Sequence, residues 1–307
     1  MKISKHICFF YQESRIPYIS GMINEASKYP YPTDIFIHTT KIFPLTQFTK
    51  HDTVTVHLIG HDFTDSDPFL LPWKVRDLMK TQKDAYDIFI YVEDDILIPA
   101  NAIKYWEIYN KKLSPNKLNI GFVRIEVDSI GEEFISDFHN EHCLPAQVTS
   151  ILQYKDEVYA INNINTYTAF WIYNKEEFSD FIKSPYYDLV IPEGRKPTEA
   201  REAREARETM IRGYHIREAA AIGLHGIRDP LNQWYIHTLI PIVSNQLHPD
   251  SRVYHIPNTY VKDPHCFFAT IRFDEAIAFN SEQVCNPQYV YNRKISRLQI
   301  AVPNPSN

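Results

Sequence analysis

The chain has 307 residues, 44% of them apolar and 23% charged, with a formal net charge of −6. That is enough apolar material to bury the core of one large α/β domain or two small ones. The acidic balance argues against a role built on phosphate-backbone contacts, so no nucleic-acid partner is expected.

Eight glycines are present, and they build neither GxGxxG nor GxxxxGK[ST]. This sets aside a dinucleotide-binding Rossmann unit and a P-loop. Cys8, Cys143, Cys266 and Cys285 form no CxxC pair and read as reduced thiols rather than a zinc site or disulfide framework. No run approaches the ~20 apolar residues of a membrane span, and the N-terminus lacks a signal-peptide core. The expectation is a cytoplasmic protein without a transmembrane segment, with peripheral membrane contact left open.

Ile7 to Tyr11 reads as a first buried strand. Ile16 to Tyr29 reads as a helix, with Ile19, Met22, Ile23 and Ala26 at helical spacing. Asp34 to Thr39 and Thr53 to Ile59 read as strands. Asp67-Pro68 suits the N-cap and first position of a helix carrying Leu71, Val75, Leu78 and Met79 on one face. A strand from Ile88 follows, and Pro99 opens a helix to about Leu113. This order implies a mostly parallel sheet flanked by helices. Asn119 to Val127, Val148 to Tyr154, Glu157 to Ile161 and Tyr167 to Tyr173 read as further strands, a mixed or antiparallel extension. A helix starts at Asn174 and ends near Pro185. Residues 199–208 repeat Glu-Ala-Arg, which lays no steady apolar stripe on a 3.6-residue helix and reads as a solvated helix or a lid. The tail after Pro264 is less regular. No domain boundary stands out, so a single domain over 1–307 is expected, with its parts divided near residue 130 and near residue 275.

The run Ile88-Phe89-Ile90-Tyr91-Val92 stops at Glu93-Asp94-Asp95. An unbroken apolar run reads as a strand buried on both faces, and ligands of open α/β sheets bind beyond the carboxyl ends of such strands. Three carboxylates there repel one another unless a cation joins them, and carboxylate oxygens suit magnesium, manganese or calcium. The alternative is an acidic loop at the positive end of the helix after Pro99.

A strand ending in Glu93-Asp94-Asp95-Ile96, followed by a Pro-initiated helix, resembles the DxD-type metal motif of GT-A-fold glycosyltransferases. It is similar in style to the EDD motif of N-acetylglucosaminyltransferase I. The resemblance covers residues 1–130 in strand order and extends loosely through Tyr167-Thr168-Ala169-Phe170-Trp171-Ile172. It implies an α/β, GT-A-like fold and transfer of a sugar from a nucleotide-diphosphate donor, a UDP sugar by preference, to a saccharide acceptor. It also implies a divalent cofactor, Mn²⁺ or Mg²⁺, inversion at the anomeric carbon, and a place in surface polysaccharide biosynthesis.

By the same resemblance Asp95 is the metal ligand, Asp94 approaches ribose or metal-bound water, and Glu93 approaches the donor sugar. Arg15 after the first strand, and His38 and Thr39 at the end of the second, are expected to hold the nucleotide. Lys74 and Arg76 face the diphosphate or snorkel on a surface helix. Glu218, in Gly213 to Ala221, is the expected catalytic base, with Asp188 and Glu193 as substitutes. The Arg217 before it departs from the adjacent acidic pair of the family, and an ion pair with a nearby arginine is the other reading. His255 is the expected C-terminal metal ligand, with His265 next. The alternative activities are a metal-dependent nucleotidyltransferase or phosphohydrolase, and a noncatalytic saccharide-binding module.

Overall fold

The computed structural model describes residues 1–64, 68–139, 144–184, 186–188, 216–224, 233–263, 266, 268–278, 289–292 and 297–300. Its elements are, in chain order, β1 (Ile3–Phe9), α1 (Ile16–Ala26), β2 (Thr33–Thr39), β3 (Val54–Gly60), α2 (Leu71–Thr81), β4 (Ile88–Glu93), β5 (Ile96–Leu97), α3 (Ala100–Leu113), β6 (Asn119–Ile120), β7 (Val123–Val127), β8 (Glu133–Ile135), β9 (Ile151–Tyr154), β10 (Glu157–Asn162), β11 (Phe170–Asn174), α4 (Lys175–Lys183), α5 (Ile216–Ala219), β12 (Thr238–Val243), β13 (Gln246–Leu247), β14 (Arg252–His255), α6 (Thr259–Lys262), β15 (Ile271–Arg272), β16 (Tyr289–Asn292) and β17 (Arg297–Ile300). The chain forms two compact units. One comprises Met1–Ala100 with Ala169–Ile227, the other Asn101–Thr168 with Arg228–Asn307.

The first unit holds a sheet in the order β11-β4-β1-β2-β3. β4, β1, β2 and β3 run parallel and β11 runs antiparallel to β4. This is the mostly parallel, helix-flanked α/β arrangement that the resemblance to the GT-A fold implies. α2 packs on β1 and β2, and α4 on β4 and β11. The middle strands are apolar because both faces are covered: Ile88 to Val92 are all buried. β3 lies at the edge and is only partly buried, which is why polar residues alternate along it. On one face Phe89 stacks on Phe178 at 4.1 Å and Tyr91 on Trp171 at 5.7 Å. α4 starts with a capping box, Asn174 and Glu177 each accepting the other's backbone N–H.

β1 begins four residues earlier than its apolar run suggests. Ser4, Lys5 and His6 are fully buried, and long-range partners satisfy them: Lys5 donates to the Tyr29 hydroxyl at 3.1 Å, and His6 and Ser4 meet Gln82. Burial pushes the Lys5 amine down to about 7, opposed by Glu25.

The second unit holds an antiparallel sheet β13-β12-β10-β9, with β6 parallel to β12, and a sheet β15-β8-β7-β14 in which only β7 and β14 are parallel. Asn119 to Val127, expected as one strand, is broken at Gly121, where a Cβ would stand 2.7 Å from both Ile240 and Thr238. β16 and β17 pair antiparallel. Residues 199–208 lie outside the described residues. No helix among the described residues is long and apolar enough to cross a membrane.

Candidate functional site

The carboxyl ends of β4, β1, β2 and β3 lie side by side in the first unit. Register sets Glu93 against Cys8, Cys8 against His38, and His38 against Ile59, one row across the sheet. Glu93 closes β4, its N–H donating to the Ala169 carbonyl at 3.0 Å. Asp94 and Asp95 occupy the turn that follows. The strand stops there because adjacent carboxylates cannot continue a ladder buried on both faces.

Arg15, from the short helical turn after β1, brings these residues together. Its Nη1 donates to Asp94 Oδ1 at 2.8 Å and lies 3.4 Å from Asp95 Oδ2. Asp94 is 3% exposed, and its Oδ2 is buried without a hydrogen-bond partner. Burial and the neighbouring Asp95 push the Asp94 carboxyl up to about 7, and Arg15 opposes them incompletely. An orphaned, buried carboxylate oxygen beside a second carboxylate is an electrostatic deficit of the kind a cation relieves. Carboxylate oxygens are the ligand type that hard divalent ions take. Among the described residues no group of three or more His, Cys, Asp or Glu is arranged to hold a metal.

The other expected residues have varied surroundings. Thr39 is buried and closes its own turn, its hydroxyl donating to the Lys41 carbonyl at 3.1 Å. His38 is buried, with both ring nitrogens taken by His6 and His61 at 2.9 Å each. Lys74 is exposed on α2, 3.8 Å from Asp77.

Arg76 is 1% exposed, and its guanidinium donates to the carbonyls of Tyr186, Tyr187, Ala220 and Ile222 at 2.9, 2.7, 2.6 and 3.2 Å. The rings of Trp73, Phe181 and Tyr187 surround it at 4.4, 4.9 and 5.5 Å. Burial lowers it to about 10. It clasps two backbone segments, one of which carries Glu218.

Glu218 is half-buried on α5, in this same unit, and the adjoining Ala219 and Ala220 pack against Leu70 and Trp73. Asp188 meets Lys80 at 3.3 Å. Glu193 and His265 lie outside the described residues. His255 belongs to the second unit. Its Nδ1 pairs with Glu126, whose other oxygen accepts the Val261 N–H at 2.7 Å, and its ring stacks on Tyr260.

Tyr11, Lys41 and His61, each just after a strand end, escaped the sequence reading. Tyr11 follows β1, with Lys41 Nζ 4.8 Å from its ring centre and Phe43 at 5.6 Å. His61 follows β3, its N–H donating to the Thr39 carbonyl at 2.9 Å. The strand-end rule that selects His38 and Thr39 selects them equally well.

No protein-family model and no curated protein matches the chain. Solved structures that resemble it include a crystal structure of S. aureus TarS 1-349, at 14% identity and TM-score 0.39, covering 83% of this chain and 60% of that one. Two others are a crystal structure of S. aureus TarS (10%, 0.37, 59% and 29%) and TarS 1-349 in complex with UDP-GlcNAc (12%, 0.34, 59% and 47%). This chain thus spans less than two thirds of each of those chains. At such scores the likeness carries no argument about activity, which has to come from the strand-end carboxylates and their neighbours.

Proposed function

We propose that the protein is a metal-assisted glycosyltransferase that takes a sugar from a nucleoside diphosphate donor, a UDP sugar by preference, and passes it to a saccharide acceptor. The observation that carries this reading is the Asp94 carboxylate: buried at the carboxyl end of a central parallel strand, beside Asp95, with Oδ2 unpartnered. Asp94 and Asp95 would hold a divalent cation, and phosphate oxygens and water would complete its shell, as is usual for magnesium. When bound, such an ion neutralises the charge that gathers on a diphosphate leaving group.

The chain's own residues do the rest. Arg15, about one-third exposed and bridging both aspartates, keeps their negative charge together before a ligand arrives and can reorient toward a phosphate. Glu93, last in β4, is assigned to a donor-sugar hydroxyl. Glu218 is assigned to take the proton from the acceptor hydroxyl, which favours inversion. Arg76 holds the backbone on which Glu218 sits.

The test is a thermal-shift panel of nucleoside diphosphate sugars with and without Mn²⁺. A ligand that binds the native state raises Tm, so a UDP sugar with Mn²⁺ is expected to do so. No shift with any donor would sink the reading. A noncatalytic saccharide-binding module would respond to free sugars and ignore UDP.

A further inference from the structure

Three imidazoles form a hydrogen-bonded relay across the face of the first unit's sheet that α2 covers. Gln82, the residue that ends α2, places its Oε1 3.0 Å from His6 Nε2, and Ser4 Oγ lies 2.8 Å from the same nitrogen. His6 Nδ1 meets His38 Nε2 at 2.9 Å, and His38 Nδ1 meets His61 Nε2 at 2.9 Å. Phe36 stacks between His6 and His57, 4.7 Å from each, and fixes the first ring. Lys74 and Asp77 of α2 are the charged groups that act on the last ring.

The relay has a direction. Gln82 Oε1 can only accept, and Ser4 donates its hydroxyl hydrogen to that same oxygen at 3.0 Å. Both partners of His6 Nε2 therefore demand an N–H there. A neutral imidazole carries one N–H, so His6 Nδ1 accepts, His38 Nε2 donates, His38 Nδ1 accepts, and His61 Nε2 donates. The neutral state is secured by burial, which pushes His6 down to about 3, His38 to about 2 and His61 down as well. Consequently His61 Nδ1 presents a lone pair at the carboxyl edge of β3, and each donated bond polarises the next.

His61 stands three strand spacings from the Asp94–Asp95 turn, roughly 14 Å, a gap that an extended nucleoside diphosphate spans. We propose that His61 Nδ1 is the specificity-determining acceptor for the nucleobase, taking the ring N–H of a uracil-type base, with Gln82 setting its tautomer from the far end of the relay. This rests on the donor reading above and adds the residue that selects the base. A base with an acceptor at that ring position, as in cytosine, would set two lone pairs face to face.

The experiment has two measurements. Long-range ¹H–¹⁵N spectra of the imidazoles, recorded before and after addition of UDP and Mg²⁺, should show His61 protonated on Nε2 in the free protein and its Nδ1 resonance moving on UDP addition. Binding of UDP and of UDP methylated at N3 is then compared. Methylation should weaken binding to the wild type about tenfold, the worth of one such hydrogen bond. In His61→Phe the two ligands should bind equally. A proton on His61 Nδ1 in the free protein overturns the inference. So does a Nδ1 resonance unmoved by bound UDP, or a methyl effect that persists in His61→Phe, and in both cases the donor reading stands. If no nucleoside diphosphate binds the wild type, both fall.

Discussion

Arg15 Nη1 lies 2.8 Å from Asp94 Oδ1, yet Asp94 Oδ2 is buried and unpartnered. One guanidinium thus satisfies half of a carboxylate that is cut off from water. Asp94 sits at 3.8 in the ordinary case and at about 7 here, a shift that corresponds to roughly 4 kcal/mol at most. Asp94→Asn removes the cost of a buried charge and should raise the Tm of the ligand-free protein at pH 8 while abolishing any gain from Mn²⁺ plus UDP. Scanning calorimetry of both forms measures the two effects together.

The same shift sets a pH dependence. The folded pKa is raised, so between pH 3.8 and about 7 the folded state holds a proton that the unfolded state has released. The ligand-free protein should therefore lose stability as pH rises through that window. Metal binding runs the other way, because a cation must displace the proton. Apparent Mn²⁺ affinity should fall about tenfold per unit once pH drops well below 7. Titrations at pH 5.5, 6.5 and 7.5 test the sign.

Arg76 is a different kind of residue from the phosphate-facing arginine considered from sequence. Four backbone carbonyls share its guanidinium. Arg76→Leu leaves them buried without a donor, and should destabilise the protein by at least about 3 kcal/mol in urea unfolding. Arg76→Lys keeps the charge but not the planar fork. It should bind UDP normally and lower kcat, if the clasp positions the segment that bears Glu218.

Glu218→Gln keeps shape and loses basicity. Donor binding should be unchanged and turnover should drop about 10²–10⁴-fold, read by UDP release in the presence of acceptor. Full turnover would remove Glu218 from the role of base.

The parallel core was legible because Ile88 to Val92 is an unbroken apolar run, and the carboxylates that end it are its sharpest sequence feature. The start of β1 was hidden because Ser4, Lys5 and His6 are polar yet buried, and their partners Gln82, Tyr29 and His38 are distant in the chain. No periodicity reveals a hydrogen bond of that range. Arg15 could be placed near the acidic turn from its position after β1, but that it bridges Asp94 and Asp95 depends on β1 and β4 being neighbours. Arg76 and Lys74 share α2, and spacing alone does not say that one is enclosed by Trp73, Phe181 and Tyr187 while the other faces water. The two-unit division brings Ala169–Ile227 back to the first hundred residues, a long-range return that composition does not mark.

The central claim is that Asp94 and Asp95 hold a cation that carries the donor's diphosphate. Calorimetric titration of UDP into the wild type and into Asp95→Ala, each with Mn²⁺ and with EDTA, tests it most directly. The account predicts that Mn²⁺ tightens UDP binding to the wild type by about tenfold or more, a gain of at least ~1.4 kcal/mol, and that Asp95→Ala loses this gain. Equal UDP affinity with and without Mn²⁺ in the wild type, or an undiminished gain in Asp95→Ala, would contradict it.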